Sequence, residues 1–567
     1  MQIFGCIKNN KNIFKFYCVS SIDKKLLSKD THNIQGKKIF VYIDGSISKL
    51  SDEIIEITSN DKSLERKLAR LYCLGVDIQS HICGSFNLFI FDYSSKNFQI
   101  IRDTRGTRSI YYANNNNDFL FSSNLNLIIN EMPKVTLNQN KLIDFLNWDY
   151  ASNDETYFQE IYRVIPSYFL KYGKKGLVTK QYELSKELFK KVNYKNSQEK
   201  FKEALYCAVN NYSHKEKKIG VMMSGGLDSS SIAIALKEND YHDVRTYSAN
   251  FNHISDNKDL DESKYQKNVA EYTSFNHTQA QMEGKSTISP IQKFTKKLSQ
   301  PLFFPNLYLF ESVIKNMKID GIEMILDGND GDTTISHGIE VIYYYFKTLR
   351  LYRYTKEIFL YSKFKNSSFM RLFHTISKQA IKEILNIKPK QNQNSILKEN
   401  FKIKKNEKNL LTFFSSHKQK LSIDLHFQAN ENRNELFRLN EIENYSPFYD
   451  EELINFCINM PNKSKIYNGY TRKVLRDFLL EFLPSNHANR DKSILTPGLL
   501  NNFSSNDLKI VKNEYANLNK SLLALVDIKK IEIIIDEIEN GNQLTEEKLI
   551  SLQMLVSANT FLNHFAL

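Results

Sequence analysis

The chain has 567 residues, 41% of them hydrophobic, and a formal net charge of +13; that length exceeds a single core and predicts at least two domains. Its six cysteines form neither a CxxC pair nor a Cys/His cluster, which argues against a zinc module or a disulfide framework. No apolar run is long enough to span a bilayer and no secretion signal is seen, so the expected setting is cytoplasmic; the lysine excess is spread along the chain without an RNA-binding signature, so no nucleic-acid partner is expected.

Residues 1–185 read as short strands with turn punctuation, at 38–43, 86–92, 97–103, 109–112 and 119–122. The asparagine run 114–117 is the expected hairpin turn, and 142–148 a short helix. A polar, lysine-rich linker is expected at 185–200. Beyond it, strands at 218–223, 244–250 and 323–327 alternate with helices at 201–211, 229–237, 266–273 and 305–315. That alternation predicts a parallel sheet with ligands at the strand C-termini. Residues 340–430 read as a basic, aromatic-rich, irregular insertion. Apolar spacing predicts packing helices at 521–540 and 546–565.

The strand at 218–223 runs into Ser224-Gly225-Gly226-Leu227-Asp228-Ser229-Ser230, which opens a helix. Two glycines permit a tight turn and close approach to a ligand, and the N–H groups of the turn and helix start form an anion site. Asp228 belongs beside an anion only if a divalent cation bridges it to phosphate. The plainer alternative is a capped strand-to-helix turn. The pattern resembles the loop of ATP pyrophosphatases, which cleave ATP between the α and β phosphates and adenylate a carbonyl oxygen. A Walker A loop is disfavoured, because Gly284-Lys285-Ser286 has Gln279 where the upstream glycine should stand.

A second acidic turn, Asp327-Gly328-Asn329-Asp330-Gly331-Asp332, follows, and after it the runs 443–450 and 468–476, Leu483-Pro484 and Arg490-Asp491-Lys492. In this order they resemble the synthetase domain of the asparagine synthetase B family. Residues 84–92 and 102–112 are similar to that family's amidotransferase domain. The resemblance implies an α+β, Ntn-hydrolase-like sandwich over 1–185. Over 200–567 it implies an α/β domain with a parallel sheet of the adenine nucleotide α-hydrolase-like type. The first of these reads as degenerate. Glutamine-using members carry cysteine where this chain has Gln2, and Cys6, inside Phe4-Gly5-Cys6-Ile7, is expected to be a buried apolar residue.

Without glutaminase chemistry the attacking amine is expected to come from the substrate, as in β-lactam synthetases and lasso-peptide cyclases. Asn329 and Thr333 stand where asparagine synthetases carry Glu, so the resemblance implies a lasso-type cyclase. Such an enzyme adenylates an Asp or Glu side chain of a precursor peptide and joins it to the peptide's N-terminal amine, releasing AMP and pyrophosphate. The alternative is an asparagine synthetase-like or β-lactam synthetase-like ligase of small molecules, using ammonia or an internal amine. The resemblance places pyrophosphate on Ser224, Gly225, Gly226, Ser229 and Ser230, adenine beside Val221 and Met222, and Ser248 in the same pocket. Gly328 lies by the acyl-adenylate, and Asp228 and Asp332 hold Mg²⁺. Lys492 faces the α-phosphate and oxyanion, and Glu443 orients the amine without its usual tyrosine partner, whose position is Asn329. His337 is a second proton acceptor, and Lys473 and Arg476 are supports for sheet or phosphate. The precursor peptide is the implied partner, with a leader peptidase or leader-binding protein as a further candidate. Rival readings are a non-catalytic binding module and a tRNA-thiolating pyrophosphatase, which would use Cys207.

Overall fold

A computed structural model of the chain describes residues 2–8, 13–19, 24–26, 31–115, 118–148, 154–189, 194–251, 262–385, 396–401, 417, 427–491, 496–542 and 544–567. Two six-stranded antiparallel sheets form its N-terminal part. One is built around Gln2–Lys8, Ile13–Val19 and Asp118–Ser122, the other around Lys37–Leu50 and the wholly buried Ile82–Asp92. Strand alternation points Ile3, Ile7, Phe16 and Phe121 of the first sheet at Phe40, Phe89, Phe91 and Phe98 of the second. The rings of Phe98 and Phe121 lie 4.5 Å apart. Gly5 is needed at this seam, because a Cβ there would stand 1.9 Å from the Phe121 ring.

Phe4 and Cys6 point the opposite way, into a core shared with helices Leu307–Ile319 and Glu546–Phe565. Burial, helped by Asp118, pushes the Cys6 thiol up to about 11. It is a packing residue, as its context suggests. The asparagine turn is described in part: Asn115 N–H donates to the Asp118 carbonyl at 3.1 Å, while Asn116 and Asn117 lie outside the described residues.

The C-terminal part is built on a five-stranded, all-parallel sheet. In spatial order its strands are Asn276–Gln281, Val244–Asn250, Ile219–Met222, Met324–Leu326 and Glu443–Tyr445. The chain leaves the central strand Ile219–Met222 to one side, then returns to add Met324–Leu326 on the other. The strand order therefore reverses between these two strands, and a crevice must open at their C-terminal ends. The first and last strands of the sheet are too polar or too short to register as strands in sequence.

The insertion is not irregular where it is described. It holds three helices, Ile339–Lys347, Leu351–Phe364 and Phe369–Ile384. The expected helix at 521–540 is two, Lys520–Leu525 and Ile528–Glu539. The largest surprise is helix Phe427–Arg438, in which eleven of the twelve residues, mostly polar, are buried and Ala429 alone is exposed. It lies between the antiparallel sheets and the parallel one. Arg102 Nη2 donates to Glu431 Oε1 at 2.6 Å, and Arg163 Nη1 stands 3.7 Å from Glu431 Oε2. Replacing Glu431 with Leu leaves two buried guanidiniums without their carboxylate. Urea unfolding should show a loss of about 3–5 kcal/mol.

Candidate active site

The crevice is a cavity of about 680 Å³ at the strand switch point. The loop after Ile219–Met222 forms one wall. Gly225 has φ +82°, which turns the chain into helix Leu227–Glu238, whose N-cap is Gly226. Ser224 Oγ accepts from Gly226 N–H at 3.2 Å and lies 3.3 Å from Ser229 Oγ. A helix N-terminus dressed with hydroxyls is thus presented to the cavity.

The loop after Met324–Leu326 forms the facing wall, and the two walls touch. A Cβ on Gly328 would stand 2.8 Å from Ser229 N, and one on Gly331 would stand 2.7 Å from Asp228 Cγ. These glycines are required by this approach more than by backbone angle. Asp330 and Ser336, both non-glycine, adopt φ +55° and +100°. Strained positions of this kind persist only where their surroundings fix them. The surroundings are Tyr449, whose hydroxyl donates to Asp330 Oδ2 at 2.5 Å, and Asn329, whose amide donates to Asn430 Oδ1 at 3.0 Å.

Met222, Ser224, Gly226, Asp228, Ser229, Ser248, Gly328 and Asp332 all line the cavity. Val221 does not: it is fully buried in the core beneath the sheet, with Met223 and Ile232. Ser230 also points away, its hydroxyl 3.2 Å from His487 Nε2. Gly225 turns its carbonyl to Arg490 Nη1 at 2.8 Å. Ser248 donates to Gln266 Oε1 at 3.1 Å. Lys492 lies outside the described residues, directly after Asp491 on the cavity rim.

The expectation for Glu443 requires correction. It begins its strand, whereas the cavity opens where the strands end, and it is absent from the lining. Its carboxylate meets Lys217 Nζ at 3.0 Å and the Tyr445 hydroxyl at 3.1 Å. Burial pushes that carboxyl up, but Arg108 and Lys217 outweigh it and hold it at about 2. A carboxylate held so acidic is a poor proton acceptor. Arg476 is a structural clip: its guanidinium reaches the carbonyls of Thr471, Ala488 and Arg490 at 2.7–2.9 Å. Lys473 pairs with Asp477.

Sequence reasoning missed the cations of the cavity. Arg472 Nη1 donates to both oxygens of Asp228 at 2.9 Å. Arg490 stacks on Tyr265 at 4.0 Å and donates to Glu262 at 2.5 Å, and Arg433 stands 3.3 Å from Asp327. Arg472 lies inside the run 468–476, beside the Tyr470-Thr471 pair, and its place in that run is the one signal the sequence offers. Arg433 carried none, being one cation in a polar stretch. Even so, among the described residues the wall has six carboxylates against three guanidiniums.

Residues 200–563 match the asparagine synthase model and residues 57–183 the glutamine amidotransferase domain. The chain belongs to the asparagine synthase family. Within that family it is 25% identical over 276 residues to a Methanocaldococcus jannaschii protein named as asparagine synthetase [glutamine-hydrolyzing] 2, covering 46% of this chain and 50% of that one. It is 21% identical over 201 residues to asparagine synthetase [glutamine-hydrolyzing] 1 of Bacillus subtilis, covering 34% and 30%. The chain therefore spans half or less of the length of these relatives. Among solved structures, the B. subtilis glutamine phosphoribosylpyrophosphate amidotransferase overlaps 39% of this chain and 49% of its own. Its identity is 12% and its TM-score 0.20, too low to bear on the fold.

Two outcomes follow from this geometry. Gly331→Ala should displace Asp228 while leaving the distant cores intact; thermal melting should move little while nucleotide binding, read by calorimetry, falls about tenfold or more. His487 is fully buried, and burial with Arg490 nearby lowers its pKa to about 4. The unfolded chain takes up that proton near the ordinary 6.5, so stability is lost as pH falls from 6.5 towards 4. His487→Gln should flatten this part of the profile in denaturation measured across that range.

Proposed function

We propose that this chain is an ATP-dependent amide ligase that adenylates a carboxylate and passes it to an amine of the same substrate molecule. The observation that carries the reading is the contact of two acidic, glycine-bearing loops at the switch point of a parallel sheet. Family membership supports ATP as the co-substrate. A divalent cation suits the donor set: Asp228 and Asp332 offer hard carboxylate oxygens, and carboxylates outnumber guanidiniums among the described residues of the wall. Mg²⁺ held there supplies charge neutralisation on the phosphates.

In this reading the substrate carboxylate oxygen attacks the α-phosphorus, and the bond from that phosphorus to the bridging oxygen breaks, releasing pyrophosphate. The helix N-terminus with Ser224 and Ser229 holds the departing pyrophosphate. Arg472 and Arg490 offset its charge, and contact with the α-phosphate is assigned to Lys492, which lies outside the described residues. The amine nitrogen then attacks the acyl carbon, the acyl–oxygen bond breaks and AMP leaves. The proton released by the amine needs an acceptor. His337 lines the cavity and is the residue proposed for it, in place of Glu443.

An amine from the substrate is favoured over ammonia because Cys6, in strand Gln2–Lys8, is buried and poorly ionised, unsuited to release ammonia from glutamine. We therefore extend the proposal to a macrolactam-forming, lasso-type cyclase acting on a precursor peptide. The competing small-molecule reading rests on relatives named as asparagine synthetases. The thiolation reading is disfavoured, since Cys207 lies on helix Ser197–Asn211 and does not line the cavity.

Pyrophosphate release is the test. Asp228→Ala and Asp332→Ala should abolish it, and Lys492→Ala should lower amide formation by about 100-fold while leaving ATP affinity within a few-fold. Release driven by a linear peptide supports the cyclase. Release driven by free aspartate with ammonium, and by no peptide, replaces it with the small-molecule ligase.

A further inference from the structure

The helical insertion carries a surface that the chemistry above does not use. Of the nineteen large apolar side chains exposed among the described residues, nine fall between 344 and 385. Tyr352 is 77% exposed and Met370 69%, with Phe359 and Ile381 exposed as well. Scattered single apolar residues are ordinary on a surface, but this concentration is not.

Helical spacing groups them. Helix Leu351–Phe364 buries Tyr354 and Ile358, which turns Tyr352 and Phe359 outwards; helix Phe369–Ile384 buries Ile376 and Ala380, which turns Met370 and Ile381 outwards. The two helices pack on each other, with Tyr354 OH 2.7 Å from Ser377 Oγ and Phe359 edge-on to Phe369 at 5.8 Å. Their outer faces therefore adjoin.

The same faces are strongly basic. Residues 344–385 contain nine Lys or Arg and two Glu. One of these, Glu357, is buried and accepts the Gly469 N–H at 2.8 Å. Arg353, Lys356, Arg371 and Lys378 are exposed. The surface is also continuous with the rim of the cavity. Lys365 Nζ donates to Asp491 Oδ1 at 2.8 Å, Asp491 lines the cavity, and helix Ile339–Lys347 begins two residues after His337. A chain seated on these helices could reach the reacting loops without leaving the protein.

We infer that the outer faces of helices Leu351–Phe364 and Phe369–Ile384 dock an acidic, apolar segment of a polypeptide substrate whose reacting end enters the cavity. Charge selects an acidic segment, and the exposed aromatic and aliphatic groups select one with an apolar face. The inference rests on the reading of a peptide substrate. It extends that reading by separating where the peptide is held from where it reacts.

The test uses the full chain and fluorescence anisotropy with a labelled amphipathic peptide of leucines and glutamates, its lysine-for-glutamate counterpart, and vesicles of phosphatidylcholine with phosphatidylserine. The acidic peptide should bind saturably and the basic one should not. Two surface variants, Tyr352→Ser/Met370→Ser/Ile381→Ser and Arg353→Glu/Lys356→Glu/Arg371→Glu, should each weaken binding about tenfold or more, with melting temperature and ATP affinity unchanged. The inference is overturned if the acidic peptide fails to bind, if both peptides bind alike, or if the variants bind as well as the parent. It is overturned also if the face proves to serve another occupant, shown by loss in the variants of vesicle binding alone or of self-association in sedimentation. Pyrophosphate release by aspartate and ammonium would sink the peptide-ligase reading while leaving these binding results standing, so the two failures are distinguishable.

Discussion

Helix Phe427–Arg438 is the element on which the arrangement of the rest depends. It is a polar helix, buried but for Ala429, between two sheet systems, and it bonds to both. Glu431 holds Arg102, Asn434 donates to the Thr107 carbonyl, and Arg438 reaches Asp44 at 3.3 Å on the antiparallel side. Arg433 faces Asp327, Asn430 pairs with Asn329, and Asn434 takes the Asn444 amide at 2.6 Å on the parallel side. Buried ionic and amide pairs add little net stability compared with apolar packing, but a broken pair is costly. Such a helix therefore tolerates few arrangements, and it fixes the second acidic loop relative to the antiparallel sheets.

That fixation matters for chemistry. The loop from Asp327 to Gly338 contains strained backbone, and alone it would relax. Tyr449 and Asn430 clamp it from behind, so that Gly328 and Gly331 can lie directly on Asp228 and Ser229. The result is a preorganised pair of acidic loop tips beside a helix N-terminus, with guanidiniums around them. Under the proposed reading, fixed charges of this kind cost no reorganisation when phosphate arrives. The antiparallel sheets pack through an aromatic seam, with Cys6 in the core behind it, and they seat the polar helix.

The glycine-serine-aspartate turn and the second acidic turn were legible because each is a contiguous segment whose residues act through local backbone geometry. The three-helix insertion was not, since its aromatic and basic composition hides a helical period that only two packed helices make plain. Cys6 could be read from its apolar neighbours. Val221 and Ser230 could not be told from their lining neighbours Met222 and Ser229, because one residue of shift on a strand or helix turns a side chain from cavity to core. Glu443 failed because the three-residue strand Glu443–Tyr445 is too short to register in sequence, so nothing marked Glu443 as lying at the strand end away from the cavity.

By itself the sequence determined the family, the alternation that makes a parallel sheet, and the loop chemistry suited to a nucleotide, all of them properties of neighbouring residues. The tertiary structure alone decided which charges share the cavity. Arg433 meets Asp327, Arg472 meets Asp228 and Arg490 meets Glu262, each across more than a hundred residues of chain, and no local rule encodes a distance that exists only after the sheet has closed.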